Sequence, residues 1–185
     1  MRIFIAVPIP EDIQEYIFQL QKQIPSKGVF PNDHLHLTLQ FLGDEIPEDK
    51  LADIKVAIKK TFEQSMPDKN LMFQLRTINT FKNRFGQIRV IWIGLKISKL
   101  LLDLQKELEK NLELVGFKNE KVFLPHVTLA RVKIPRTTQL EEALKKIPVE
   151  EKVFEINEIH LIQSLLKPDG AKYKVLEKYM WEEEK

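Results

Sequence analysis

Two of the four histidines in this chain stand in the same short phrase, His36-Leu37-Thr38-Leu39 and, 90 positions later, His126-Val127-Thr128-Leu129. With seven threonines among 185 residues, two such pairs by accident are roughly a one-in-a-hundred event. Both copies lie in alternating apolar runs, Leu35 to Leu39 and Leu124 to Leu129, and such alternation predicts half-buried strands. Side chains two apart share one face of a strand, so each copy would present an imidazole beside a hydroxyl while its leucines and valine enter a core. Two such strands facing each other would gather two imidazoles and two hydroxyls, an inventory that suits a phosphodiester. One ring could be neutral and its partner protonated near neutral pH, because an unperturbed imidazole has a pKa of ~6.5.

Helices and strands must position these phrases. Pro10 opens a helix whose apolar positions Ile13, Ile17, Leu20 and Ile24 follow the helical period, and Pro25 and Gly28 end it. A strand from about Leu35 closes at Gly43-Asp44, and Pro47 starts a second helix with Leu51, Ile54, Ile58 and Phe62 as its inner stripe. Leu71 to Phe81 and Ile88 to Ile97 read as an antiparallel hairpin with a basic, aromatic tip at Lys82, Arg84 and Phe85. Ser98 can cap a helix striped by Leu101, Leu104, Leu108, Leu112 and Val115 and stopped by Gly116. Thr138 and Glu141 have capping-box spacing ahead of a helix through Ile147. Strands around Val153 to Leu165 and Lys172 to Tyr179 come last, linked by Lys167-Pro168-Asp169-Gly170. Strands mostly neighbour strands or enclose single helices. The expected class is therefore α+β, with largely antiparallel sheet in two pseudo-symmetric lobes, flanking helices and a central cleft, all in one domain over residues 1–185.

Composition narrows the function classes. A net charge of +2 and a pI near 8.6 show no large electrostatic footprint for long duplexes, although a local basic groove is compatible with them. The lack of cysteine removes disulfides, thiolate chemistry and cysteine-containing zinc sites, and a cytoplasmic home is the simplest inference. The apolar opening Arg2 to Val7 is broken by Pro8, Pro10 and Glu11-Asp12, so it reads as a first strand and not as a signal peptide. The run from Val90 to Leu95 is far shorter than the ~20 residues that cross a bilayer, and no membrane association is expected.

The extended phrases Leu35 to Gly43 and Pro125 to Arg131 resemble the twin motifs of the 2H phosphoesterases, in the branch of 2′-5′ RNA ligases and RNA 2′,3′-cyclic phosphodiesterases. The opening Arg2 to Val7 and the late phrase Ser164-Leu165-Leu166 to Gly170 and Tyr173 support the likeness, which spans nearly the whole chain. The resemblance implies a two-lobed fold with a motif strand from each lobe lining the cleft. It also implies hydrolysis of RNA 2′,3′-cyclic phosphate ends to 2′-phosphomonoesters. The expected partner is such an RNA end, with tRNA fragments as candidates, and the expected state is a monomer. An ATP-independent 2′-5′ joining activity is known for some members.

On this reading His126 is the base and His36 the acid, Thr38 and Thr128 donate to the nonbridging phosphate oxygens, and no cofactor or metal is required. Phe41 and Arg131 hold equivalent places, five residues after each motif histidine. Strict alternation would put both on the face opposite the imidazoles, so a role in holding a nucleobase requires the strand to bend, bulge or end first. His34 shares the parity of His36 but lacks a threonine and is expected to face solvent, and His160 to be a satisfied core or surface residue. A metal site built from His34, His36, His126 and a carboxylate is the weaker alternative, because threonines are poor ligands. Two competing functions keep the cleft: an RNA-end-binding protein without turnover, and a phosphodiesterase of small cyclic nucleotides or 2′-5′ oligonucleotides.

Overall fold

The apolar stripes and alternating runs resolve into thirteen elements in a computed structural model that describes residues 1–65, 70–119, 122–134, 138–167 and 170–181. In chain order these are β1 (Arg2–Pro8), α1 (Glu11–Lys22), β2 (Val29–Pro31), β3 (His36–Gly43), α2 (Lys50–Ser65), β4 (Leu71–Lys82) and β5 (Ile88–Ile97). Next come α3 (Lys99–Leu114), β6 (His126–Val132), α4 (Thr138–Lys145), β7 (Val153–Ile156), β8 (Glu158–Lys167) and β9 (Gly170–Met180). Helix α1 buries Ile13, Ile17 and Leu20, α2 buries Ile54, Ile58 and Phe62, and α3 buries Leu101, Leu104, Leu108 and Leu112. These stripes join the inner faces of the strands in one core, where each large aliphatic side chain contributes about 1.5–3 kcal/mol by leaving water. The Ser98 hydroxyl accepts from the Leu101 amide and so caps α3 as its sequence suggests.

Among the described residues the strands form one nine-stranded sheet in the order β7-β4-β5-β6-β3-β1-β8-β9, with β2 beside β6. Every pairing among them is antiparallel. The order is pseudo-symmetric about the β6–β3 junction. Each half brings a strand, a helix and its histidine strand: β1-α1-β3 on one side and β5-α3-β6 on the other. Each half then sends a later strand across, for β4 comes after the first half in sequence but pairs with β5, and β8 comes after the second but pairs with β1. The two lobes are thereby interlocked, with the repeated phrase at their seam.

One local expectation changes, a short strand is added, and the cap of α4 falls outside the described residues. The run Val153 to Leu165 is two strands, not one: the chain breaks at Asn157, sending β7 to the β4 edge and β8 to β1 on the opposite side. Asn157 exchanges backbone and side-chain hydrogen bonds with Trp181, which holds this break against the end of β9. Strand β2 has no sequence signal, being three residues long. It starts after Gly28, whose φ of 74° suits glycine and where a Cβ would lie 2.7 Å from that of Ile134. At α4 the carboxylate of Glu141 pairs with Lys82 of β4 at 2.6 Å, while the side chain of Thr138 and the linker residues Pro168 and Asp169 lie outside the described residues.

Candidate active site

The two histidine strands touch at one point of register, Leu37 opposite Val127. Because the strands run antiparallel, continuing that register sets His36 across from Thr128 and Thr38 across from His126. Leu37, Leu39, Val127 and Leu129 are buried in the core. The alternate residues His36, Thr38, His126 and Thr128 line one cleft of about 300 Å³, as expected of a two-residue period.

Each imidazole is held in the same way. Nδ1 of His36 donates to the carbonyl of His34 at 2.8 Å, and Nδ1 of His126 donates to the carbonyl of Leu124 at 2.7 Å. A carbonyl can only accept, so Nδ1 carries the proton in both rings and Nε2 is left for chemistry. The backbone two residues upstream of each motif thus sets the tautomer of its own histidine.

The strands also depart from strict alternation at equivalent places. In β3 the register against β1 slips between Thr38 and Gln40, leaving Leu39 as an extra residue. In β6 the register against β5 slips between Thr128 and Ala130, leaving Leu129 as the extra one. Each bulge places two buried residues in succession, Leu39-Gln40 and Leu129-Ala130, and so inverts the parity of the residues beyond it. Phe41 and Arg131 are thereby turned onto the cleft face and line it. The strands bulge, as a role for these two residues requires. Being antiparallel, they carry Phe41 and Arg131 away from the junction in opposite directions, and Phe41 has the Arg2 guanidinium 5.1 Å from its ring.

Buried polar groups brace the second bulge. Gln21 of α1 donates from Nε2 to the carbonyls of Leu129 and Asn32, at 2.7 and 2.9 Å, and the Asn32 amide donates to the same Leu129 carbonyl. Asn32 in turn donates from Nδ2 to the carbonyls of Thr128 and His34. A carbonyl displaced from the ladder by a bulge is therefore satisfied by a side chain 108 residues away in sequence.

The walls differ. His36 packs against Phe4 at 4.9 Å and edge-on to Tyr173 at 5.5 Å, whereas His126 meets the rings of Phe81 and Trp92 at 5.2 and 5.5 Å. Burial pushes the pKa of His36 down to about 4, and the charges of His34, His126 and Arg131 push the same way against the favourable bond to the His34 carbonyl. With its pKa near 4, His36 is neutral at pH 7. The ring of His34 lies edge-on to Tyr173 and its residue is exposed, while His160 is buried with Nε2 2.9 Å from the Glu158 carboxylate. Among the described residues no three histidine or carboxylate side chains are grouped as a metal site. At the hairpin tip Arg84 stacks on Phe85, with Asn83 accepting from the amides of Phe85 and Gln87.

Sequence reading misses Asn32, Phe81 and Gln21, whose places depend on strand register or on how α1 docks against the sheet, and it gives Arg2 and Phe4 only within the opening phrase. Ser164 and Tyr173 line the cleft from β8 and β9, and the late phrase containing them is the only sequence signal for this wall.

Residues 9–167 match the model of the 2′-5′ RNA ligase superfamily. A Methanocaldococcus jannaschii protein named RNA 2′,3′-cyclic phosphodiesterase is 36% identical over 183 residues, covering 97% of this chain and all of the relative. A protein of the same name from Aquifex aeolicus is 33% identical, with 97% and 96% covered. Among solved structures, TT0787 of Thermus thermophilus superposes with a TM-score of 0.80 at 30% identity and covers 97% of both chains. Escherichia coli LigT complexed with 3′-AMP has a TM-score of 0.77 at 24% identity, with 97% of both chains covered, and shares the fold.

Proposed function

Because this chain belongs to the 2′-5′ RNA ligase superfamily, we propose that it hydrolyses RNA 2′,3′-cyclic phosphate ends to 2′-phosphomonoesters, using only its own side chains. The observation that carries this reading is the pair of imidazoles in one cleft, each with Nδ1 tied to a carbonyl and Nε2 left for proton transfer.

In the reaction His126 accepts a proton from water as the water oxygen bonds to phosphorus. The bond from phosphorus to the 3′ oxygen breaks, and His36 delivers a proton to that oxygen, leaving a free 3′-hydroxyl and a 2′-phosphate. His36 must first be protonated. Burial and like charge oppose this, and the phosphate anion of the substrate supplies the compensating negative charge. An acid that holds its proton only beside the substrate gives it up readily to the departing oxygen. The Thr38 and Thr128 hydroxyls donate to the nonbridging oxygens, where charge must be held as phosphorus becomes five-coordinate. Phe41 and Arg131 contact the nucleoside, by stacking and by a cation over the base. With a 5′-hydroxyl in place of water and the two histidines in the same roles, the same groups join a cyclic phosphate to that hydroxyl, giving a 2′-5′ linkage without ATP, and the roles exchange only when that linkage is cleaved back to the cyclic phosphate.

Both histidine strands come from one chain, so the cleft needs no second copy, and the proposal is of a single two-lobed domain that acts as a monomer on RNA ends, tRNA fragments among them. No helix among the described residues is long and apolar enough to cross a membrane. The test is incubation of an oligonucleotide ending in a cyclic phosphate with the protein in excess chelator. The expected outcome is a 2′-phosphate product, lost in His36→Ala and in His126→Ala. Protection of an unopened cyclic end would instead identify an RNA-end-binding protein.

A further inference from the structure

The wall that carries Arg131 does not end there. Across the ladder from it stands Phe30 of β2, paired Phe30 with Arg131, and directly opposed residues of an antiparallel pair share a face. Phe30 therefore continues the cleft face outward by one strand spacing of about 4.8 Å. Its neighbours confirm the parity: Val29 is buried against the core beside Val132, while Asn32 lines the cleft. The Phe30 ring is 48% exposed, and the Lys133 ammonium lies 4.4 Å from its centroid. An aromatic ring kept half in water beside a cation, next to a guanidinium that faces a phosphate site, is suited to stack a base near a negatively charged backbone.

Resting on the function above, we propose that Phe30 and Lys133 form a second nucleobase subsite, for the penultimate nucleotide of the RNA. The base stacks on Phe30, and Lys133 neutralises the phosphate joining it to the terminal nucleotide. A guanidinium and a ring on adjacent strands then meet two successive bases, as on other single-strand platforms. The preferred substrate class is thus an RNA end of at least two nucleotides, and not a mononucleotide.

The experiment compares a mononucleoside 2′-phosphate with a dinucleotide ending in a 2′-phosphate by calorimetric binding, and the matching cyclic phosphates by turnover. The wild-type protein is expected to favour the dinucleotide roughly tenfold, a ratio that falls to about one in Phe30→Ala and is kept in Phe30→Tyr. Lys133→Gln is expected to lower the ratio and to weaken the dependence of dinucleotide binding on salt. Equal affinity of the wild-type protein for the two ligands overturns the subsite, as does a ratio unchanged in Phe30→Ala. A Phe30-dependent binding ratio without turnover of either cyclic phosphate would uphold the subsite and defeat the hydrolytic function.

Discussion

The β1-β3 half and the β5-β6 half use one backbone device to hold two imidazoles, yet they surround them with different walls. The shared parts are the carbonyl two residues upstream, the hydroxyl two residues downstream and the bulge just beyond it. The unshared parts are Phe4 and Tyr173 against His36, Phe81 and Trp92 against His126, and an aromatic Phe41 where the other half has the cation Arg131. Under the proposed function, backbone symmetry delivers two equivalent proton-transfer groups to one phosphorus. The side chains then break the equivalence that an acid and a base cannot both keep.

Removing either imidazole should have the largest effect. His36→Ala and His126→Ala are each expected to lower kcat by about 10²–10⁴-fold on a cyclic-phosphate substrate, measured by product chromatography. An activated aryl phosphodiester, whose leaving group needs no proton, sharpens the contrast. His36→Ala should regain most of its rate on that substrate and His126→Ala should not, while the opposite pattern would exchange the acid and the base.

The hydroxyls test the symmetric part. Thr38→Val and Thr128→Val should each cost about 3 kcal/mol of transition-state stabilisation, seen mainly in kcat. Full activity in one of them would show that a single half binds the phosphate.

The asymmetric part has a signature in stability. Because the folded pKa of His36, about 4, lies below its ordinary value of 6.5, the unfolded chain takes up that proton first. This group therefore costs the fold stability as pH falls from 6.5 towards 4, by at most about 3 kcal/mol, and nothing more is lost below that window. Denaturant unfolding of His36→Gln across the window should show a shallower decline than the wild type, and an identical decline would place the source elsewhere. The smallest effect concerns the brace around Leu129. Gln21→Leu leaves that carbonyl with its Asn32 partner alone, and should cost about 1–2 kcal/mol in stability and loosen Arg131 more than Phe41.

The parts legible in sequence are those that depend on local period. The stripes of α1, α2 and α3, the β4-β5 hairpin, the Ser98 cap and the His-x-Thr faces all arise from spacings within a few residues. The bulges at Leu39 and Leu129 are not legible, because an extra residue is defined only against a partner strand. From sequence, the face of Phe41 and Arg131 is thus conditional on a bulge that only the partner strands reveal. The division at Asn157 escapes for a similar reason: Val153 to Leu165 is apolar enough for one strand, and only the two distant partners, β4 and β1, force it into two. Asn32 and Gln21 act through hydrogen bonds to residues about a hundred positions away, for which no local pattern exists.

Both the chemistry and its asymmetry rest on the two motif histidines reaching one phosphate. Nitrogen-15 imidazole spectra recorded while a nucleoside 2′-monophosphate is added probe that convergence. The Nε2 signals of His36 and His126 should move together along a single binding curve while that of His160 stays in place. Movement of only one motif histidine, or two curves with different midpoints, would show that the two rings do not share a phosphate.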